Sequence, residues 1–171
     1  SGLVGFCDSS YNVDPDDGRS TSEHIFYLNM CPVSWSLTKQ EIVALSSCEA
    51  EFMAATEAVK QAIWLQELLG EITSDEAAKT VLRIDNKSAI ALTKNPVFYG
   101  RSKHIHKRFH FIRECVEDGL LDVEHVAGKE QKADILTKAL GKIKFKEMRS
   151  FIGVQDVSKE VFKLKGEIVD I

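Results

Sequence analysis

The sequence predicts an α/β domain: a mixed five-stranded sheet, an antiparallel meander extended by parallel strands, flanked by helices. Three observations predict it. The first forty residues hold three short runs rich in β-branched and aromatic residues, separated by turn formers. From Ser46 the composition changes to Ala, Glu, Leu, Gln and Lys, with apolar residues at helical spacing. Beyond that helix, strand-like and helix-like runs alternate, giving the order β-β-β-α-β-α-α-β-α, which calls for parallel crossover strands beside the meander.

Taken in order, Leu3 to Cys7 reads as a buried strand that ends at Asp8. The segment Asp14-Pro15-Asp16-Asp17-Gly18 is turn chemistry. Thr21–Leu28 and Pro32–Leu37 are the second and third strands, joined through Asn29-Met30-Cys31. Ala55, Val59, Ala62, Leu65, Leu69 and Ile72 form the apolar stripe of a helix running from Ser46 to Ile72. Thr80–Ile84 is a short strand ending at Asp85. Asn86 to Thr93 is a short helix stopped by Asn95-Pro96, and Lys103 to Asp118 a longer basic one. Leu121–Val126 is the fifth strand, followed by a helix near Gln131 to Leu140. The expected division is a domain over residues 1–142 and a C-terminal tail over 143–171, partly helical and packed on or trailing that domain.

A chain of 171 residues with 44% hydrophobic content suits one well-cored domain rather than two. Its 28% charged residues are ordinary for a globular protein and exclude a wholly disordered or collagen-like chain. Cys7, Cys31, Cys48 and Cys115 contain no C-x-x-C pair, so neither a zinc ribbon nor a dense disulfide framework is indicated, and a reduced intracellular protein is the simpler expectation. No uncharged apolar run is long enough to span a bilayer, and no secretory leader opens the chain, so no membrane partner is expected. A P-loop, a G-x-S-x-G elbow and a G-x-G-x-x-G turn are absent from the sequence, which removes support for P-loop triphosphate hydrolysis and acyl-enzyme chemistry.

The positions of four acids carry most of the chemical information. Asp8 ends the first strand, Glu49 opens the long helix, Asp85 ends the fourth strand, and Asp134 lies in the first turn of the late helix. If the first and fourth strands are parallel neighbours, Asp8 and Asp85 emerge together at the carboxyl edge, where open α/β sheets bind ligands. Carboxylates gathered in this way repel one another unless cations neutralise them. Hard oxygen donors suit Mg²⁺, and a pair of such ions about 4 Å apart is the clamp used in phosphodiester hydrolysis. Each acid also has a local role available: Ser46-x-x-Glu49 is a capping box, and Asp8, Asp85 and Asp134 could be turn or cap residues. Spacing alone leaves both readings open.

The net charge of −4 hides a local asymmetry. Between Asp85 and Glu114 there is no acid, whereas Lys87, Lys94, Arg101, Lys103, Lys107, Arg108 and Arg113 lie there with His104, His106 and His110. Phe98, Tyr99, Phe109 and Phe111 are interleaved. Such a stripe is expected where a groove follows a phosphate backbone, although Phe109 and Phe111 also suit a core. The candidate nucleic-acid contacts are Lys87, Lys94, Arg101, Lys103, His104, Lys107 and Arg108.

Gly5-Phe6-Cys7-Asp8-Ser9-Ser10, the run from Asp14 to Ser22, the run from Val43 to Phe52, Asp85-Asn86-Lys87-Ser88-Ala89 and Ala133-Asp134-Ile135-Leu136-Thr137-Lys138 occur in that order. With Lys103-His104-Ile105 and the run from Arg108 to Arg113, this succession resembles the ribonuclease H domain of copia-type LTR retrotransposon polyproteins over nearly the whole chain. The resemblance implies a ribonuclease H-like fold and hydrolysis of the RNA strand of an RNA/DNA hybrid during reverse transcription. It implies two Mg²⁺ ions, with Mn²⁺ as a substitute, held by Asp8, Glu49, Asp85 and Asp134, with Asp8 bridging them.

Glu51 competes with Glu49. The two lie about 200° apart in helical phase, so only one faces the site, and the family motif favours Glu49. Relatives of this fold often add a histidine before the last acid; His125 is a secondary candidate for that role. The partners implied are RNA/DNA hybrid and the reverse transcriptase of the same polyprotein, in an intracellular, cytoplasmic setting or a virus-like particle. The alternative function is a catalytically silent module of the same fold that binds hybrid or the reverse transcriptase. Glu23 departs from the pattern, standing where glycine is usual, and is expected to disturb the meander turn.

Overall fold

A computed structural model describes residues 2–73, 79–94, 103–137 and 139–154, with the side chains at 92–94 and 103–106 outside the description. Its strands are β1 (Leu3–Ser10), β2 (Thr21–Leu28), β3 (Cys31–Lys39), β4 (Thr80–Ile84) and β5 (Leu121–His125). Its helices are α1 (Ser47–Thr73), α2 (Lys87–Lys94), α3 (Lys103–Glu117) and α4 (Lys142–Phe151). The sheet order is β3-β2-β1-β4-β5. β1 pairs antiparallel with β2 and parallel with β4, and β4 pairs parallel with β5, so the predicted meander and parallel extension are both present.

The β2–β3 turn of the meander is closed by a left-handed residue. Asn29, at φ 57°, makes the two-residue connection from β2 to β3, a conformation that asparagine tolerates better than a branched residue. Before β2, Asp14 Oδ1 accepts the amides of Asp16 and Asp17, and Lys39 from β3 reaches both Asp14 and Asp17.

Alternation along β1 divides the core in two. Leu3 and Cys7 point toward α1 and join Phe52, Ala55, Ala58, Val59 and Ala62 with Ile112 of α3. Phe6 points the other way, packing with Ile25, Tyr27, Val126, Ala133 and Ile152. Gly5 is needed where β1 crosses β2 and β4: a Cβ there would collide with the Phe26 ring and stand 3.0 Å from Leu82 Cδ1.

Two expectations are corrected. The helix over Gln131–Leu140 is instead a single 3₁₀ turn, Ala133–Leu136, and the next helix begins only at Lys142 after Gly141. Tertiary anchoring overrides helical propensity here, because Gln131 is tied to β1 and Lys132 lies over the rings of Tyr27 and Phe6. Glu23, within the second strand as expected, is fully buried opposite Asp8 rather than placed where it would disturb the meander turn.

The segment after residue 142 also has a defined place as far as Val154. α4 buries Met148, and Ile152 just beyond its end joins the second core, where the Tyr27 hydroxyl donates to the Ile152 carbonyl at 2.9 Å. Residues 155–171 lie outside the described residues.

Candidate active site

The parallel register of β1 and β4 ends at Phe6 opposite Arg83. Two residues further along each strand are Asp8 and Asp85, so the same register that builds the sheet centre sets these carboxylates side by side. Glu51 enters from the first turns of α1. Oxygens of Asp8, Glu51 and Asp85 lie within 4.8 Å of one another. Asp8 and Glu51 are 5% and 6% exposed, respectively, and Asp85 is half-buried, so the cluster is sheltered on the β1 and α1 side and opens to solvent at Asp85.

Glu51, not Glu49, is the helix carboxylate that reaches this cluster. Glu49 is occupied at the helix start, where its amide donates to Ser46 Oγ and its Oε2 accepts the Leu45 amide, both at 3.1 Å. That is the capping role that the S-x-x-E spacing also allowed. Glu51 turns toward β1, where its Oε1 accepts the Ser9 amide at 3.1 Å and the Ser9 hydroxyl at 2.9 Å. A signal for this was present in the sequence: Glu51, Ala55, Ala58 and Ala62 lie on one helical face, continuous with the apolar stripe that seats α1 on the sheet.

Asp134 joins through Asp8, with which it shares a side-chain hydrogen bond. The short 3₁₀ turn that carries Asp134 packs against β1 and β2. Gly128, which opens a separate 3₁₀ turn over Gly128–Glu130, faces Asp85: a Cβ there would stand 3.8 Å from Asp85 Oδ2.

The electrostatics follow from gathering acids where water is scarce. Burial, the hydrogen bond with Asp134 and the charge of Glu51 push the Asp8 carboxyl up to about 10. Burial also raises Glu51, although its hydrogen bonds with Asp8 and Ser9 oppose the rise. Glu23, across the strand pair from Asp8, is pushed up to about 8, mainly by burial and further by Glu51 and Asp134. Its Oε2 and the Oε2 of Glu51 are both buried with no hydrogen-bond partner. Such a donor set fits a hard divalent cation, which would favour the ionised acids and satisfy oxygens that no protein group reaches.

The other expected site residues fall differently. His125 is exposed at the end of β5, paired in register with Ile84, the residue before Asp85. Lys87 is exposed at the start of α2, and Lys107 is exposed on α3. Arg108 is half-buried and turns toward Glu57 of α1 at 3.5 Å. Phe109 is buried and stacks on Phe52, so it belongs to the core. Arg101, and the side chains of Lys94, Lys103 and His104, lie outside the described residues.

No protein-family model matches the chain. It is 38% identical over 152 residues to a retrovirus-related Pol polyprotein from transposon TNT 1-94 of Nicotiana tabacum, a match covering 89% of this chain and 11% of that protein. It is 40% identical over 155 residues to the corresponding polyprotein from transposon RE1 of Arabidopsis thaliana, covering 91% of this chain and 11% of that one. The chain therefore spans about a tenth of the length of these relatives. Among solved structures, LC11-RNase H1 superposes with a TM-score of 0.59 at 13% identity, covering 79% of this chain and 91% of that protein. The same enzyme crystallised with an RNA/DNA hybrid superposes with a TM-score of 0.54 at 14% identity, covering 77% and 91%.

Proposed function

We propose that this chain, which belongs to the Pol polyprotein family of copia-type retrotransposons and carries its ribonuclease H fold, hydrolyses the RNA strand of RNA/DNA hybrids. The observation that carries the proposal is the partly sheltered Asp8–Glu51–Asp85 cluster at the carboxyl edge of the two central parallel strands. The hybrid-bound neighbour of the same fold supports the choice of substrate.

Asp8, Glu51 and Asp85 would hold divalent cations, with Asp134 beside Asp8; Mg²⁺ suits these oxygen donors, and Mn²⁺ would substitute. When bound, a pair of such ions lowers the pKa of an attacking water and offsets charge at the scissile phosphate and leaving oxygen. Asp8 occupies the centre, hydrogen-bonded to both Glu51 and Asp134, so its proton must leave as the site loads. Ser9 holds Glu51 through two donors, which keeps that carboxylate aimed at Asp8 and Asp85 rather than at solvent. Lys87 and Lys107 attract the phosphate backbone without reading bases, in keeping with recognition by hybrid shape and 2′-hydroxyls.

The test is cleavage of labelled RNA/DNA hybrid, duplex RNA and duplex DNA in Mg²⁺, with Asp8→Asn and Glu51→Gln as controls. RNA cut only in the hybrid, and lost in both variants, is the expected result. Hybrid that binds but survives at every metal concentration would leave a binding module of this fold as the function.

A further inference from the structure

We infer that Gln131 is a positioning residue that holds the turn carrying Asp134 against the strand carrying Asp8; this rests on the proposed function, since it concerns the same acids. Gln131 is 0% exposed, which is uncommon for a primary amide and requires that both ends of the amide be used. Both are. Its Nε2 donates to the Cys7 carbonyl at 2.8 Å, and its Oε1 accepts the Ala133 amide at 3.3 Å.

The two bonds join places that matter for the site. Cys7 immediately precedes Asp8, and Ala133 immediately precedes Asp134. Their carbonyl and amide are therefore bridged by one rigid planar group, one residue back from each of two carboxyls that share a hydrogen bond. The pairing of β1 with β4 stops at Phe6 and Arg83, and the Gln131 amide takes the Cys7 carbonyl just beyond that point. The turn itself is short, and its C-cap bond from the Thr137 amide to the Asp134 carbonyl is local. Gln131 thus supplies a long-range tie between this turn and the central strand, 124 residues away in sequence.

Removing the amide should let the Asp134 turn move away from Asp8 while the sheet persists. Gln131→Met keeps volume and flexibility but neither hydrogen bond. It is expected to weaken Mn²⁺ binding, measured by calorimetry, by roughly tenfold, the lower end of what loss of outer-shell support costs. Hydrogen exchange at the amides of 133–137 should accelerate, with exchange in β1 and β2 unchanged. In the hybrid assay, the metal concentration for half-maximal cleavage should rise, and saturating metal should recover most of the rate. If Gln131→Met melts within the assay range, Gln131→Asn is measured instead, since its amide is a methylene too short to span both partners; the same changes are expected.

A folded variant with wild-type Mn²⁺ affinity and wild-type exchange at 133–137 would overturn the inference. Wild-type protein that leaves hybrid uncut would overturn the nuclease reading alone, because the exchange pattern and the Mn²⁺ isotherm still decide the role of Gln131.

Discussion

Ser9 and Glu51, 42 residues apart, are joined by two hydrogen bonds to one oxygen: the Ser9 amide at 3.1 Å and the Ser9 hydroxyl at 2.9 Å both donate to Glu51 Oε1. This contact selects between two glutamates on the same helix. Glu49 feels the helix start and serves it; Glu51 feels the sheet edge and joins Asp8 and Asp85.

Glu51→Gln should therefore abolish metal-dependent cleavage far more than Glu49→Gln. Loss of an outer-shell partner costs about 10–100-fold, and loss of a ligand should exceed that. Glu49→Gln retains a capping side chain and should leave the rate within about threefold, while Glu49→Ala should cost about 1 kcal/mol of stability. Steady-state rates on labelled hybrid and urea melts of the three variants check this.

The raised acids set the pH dependence of the metal-free protein. Glu23 has an ordinary value of 4.5 and is pushed up to about 8 when folded. Between those values the folded state holds a proton that the unfolded state has released, so stability falls as pH rises from about 5 to 8. Asp8, at about 10, extends the fall upward. Glu23→Gln should flatten the slope between pH 5 and 8 and stabilise the metal-free protein at pH 8, by an amount on the order of a few kcal/mol. Adding Mg²⁺ should oppose the loss in wild type. Thermal melts across pH, with chelator or Mg²⁺, read both effects.

α4 should count as part of the folded unit. Tyr27→Phe removes the donor to the Ile152 carbonyl and should cost about 1–3 kcal/mol, since the acceptor remains buried. Truncation after Lys142 removes the buried Met148 and takes Ile152 from the second core, and should cost more, in the range of about 2–5 kcal/mol for each large buried side chain lost. Chemical denaturation of the two variants measures the difference.

Lys87 and Lys107 are exposed and not paired in any ion pair recorded among the described residues, unlike Arg108. Each lysine changed to Ala should weaken hybrid binding and lower the slope of log affinity against log salt by about one. Arg108→Ala should act more on stability, through Glu57, than on that slope. Binding titrations from low to moderate salt distinguish them.

Strand and helix identities were legible because backbone repeats imprint themselves on nearby residues: Thr80–Ile84 and Thr21–Leu28 are bounded as their patterns predict, and the α1 stripe persists from Ala55 to Leu69. The adjacency of Asp8 and Asp85 was also within reach, since strand order and parallel pairing place two strand-end acids together. The ordered motifs by themselves point to the family.

Other features depended on contacts far along the chain. The sequence restricted the helix carboxylate to one of two positions about 200° apart; the rotation of α1, set by Ala55, Ala58 and Ala62 packing on the sheet, turned Glu51 inward. The late helix became one 3₁₀ turn because Gln131 found the Cys7 carbonyl, a partner no local pattern could announce. Glu23 was expected within the second strand, but only the pairing of β1 with β2 sets it opposite Asp8, buried at the site. Periodicity is local and therefore readable in sequence, whereas the direction in which a carboxylate points is decided by packing between elements, which only the tertiary structure contains.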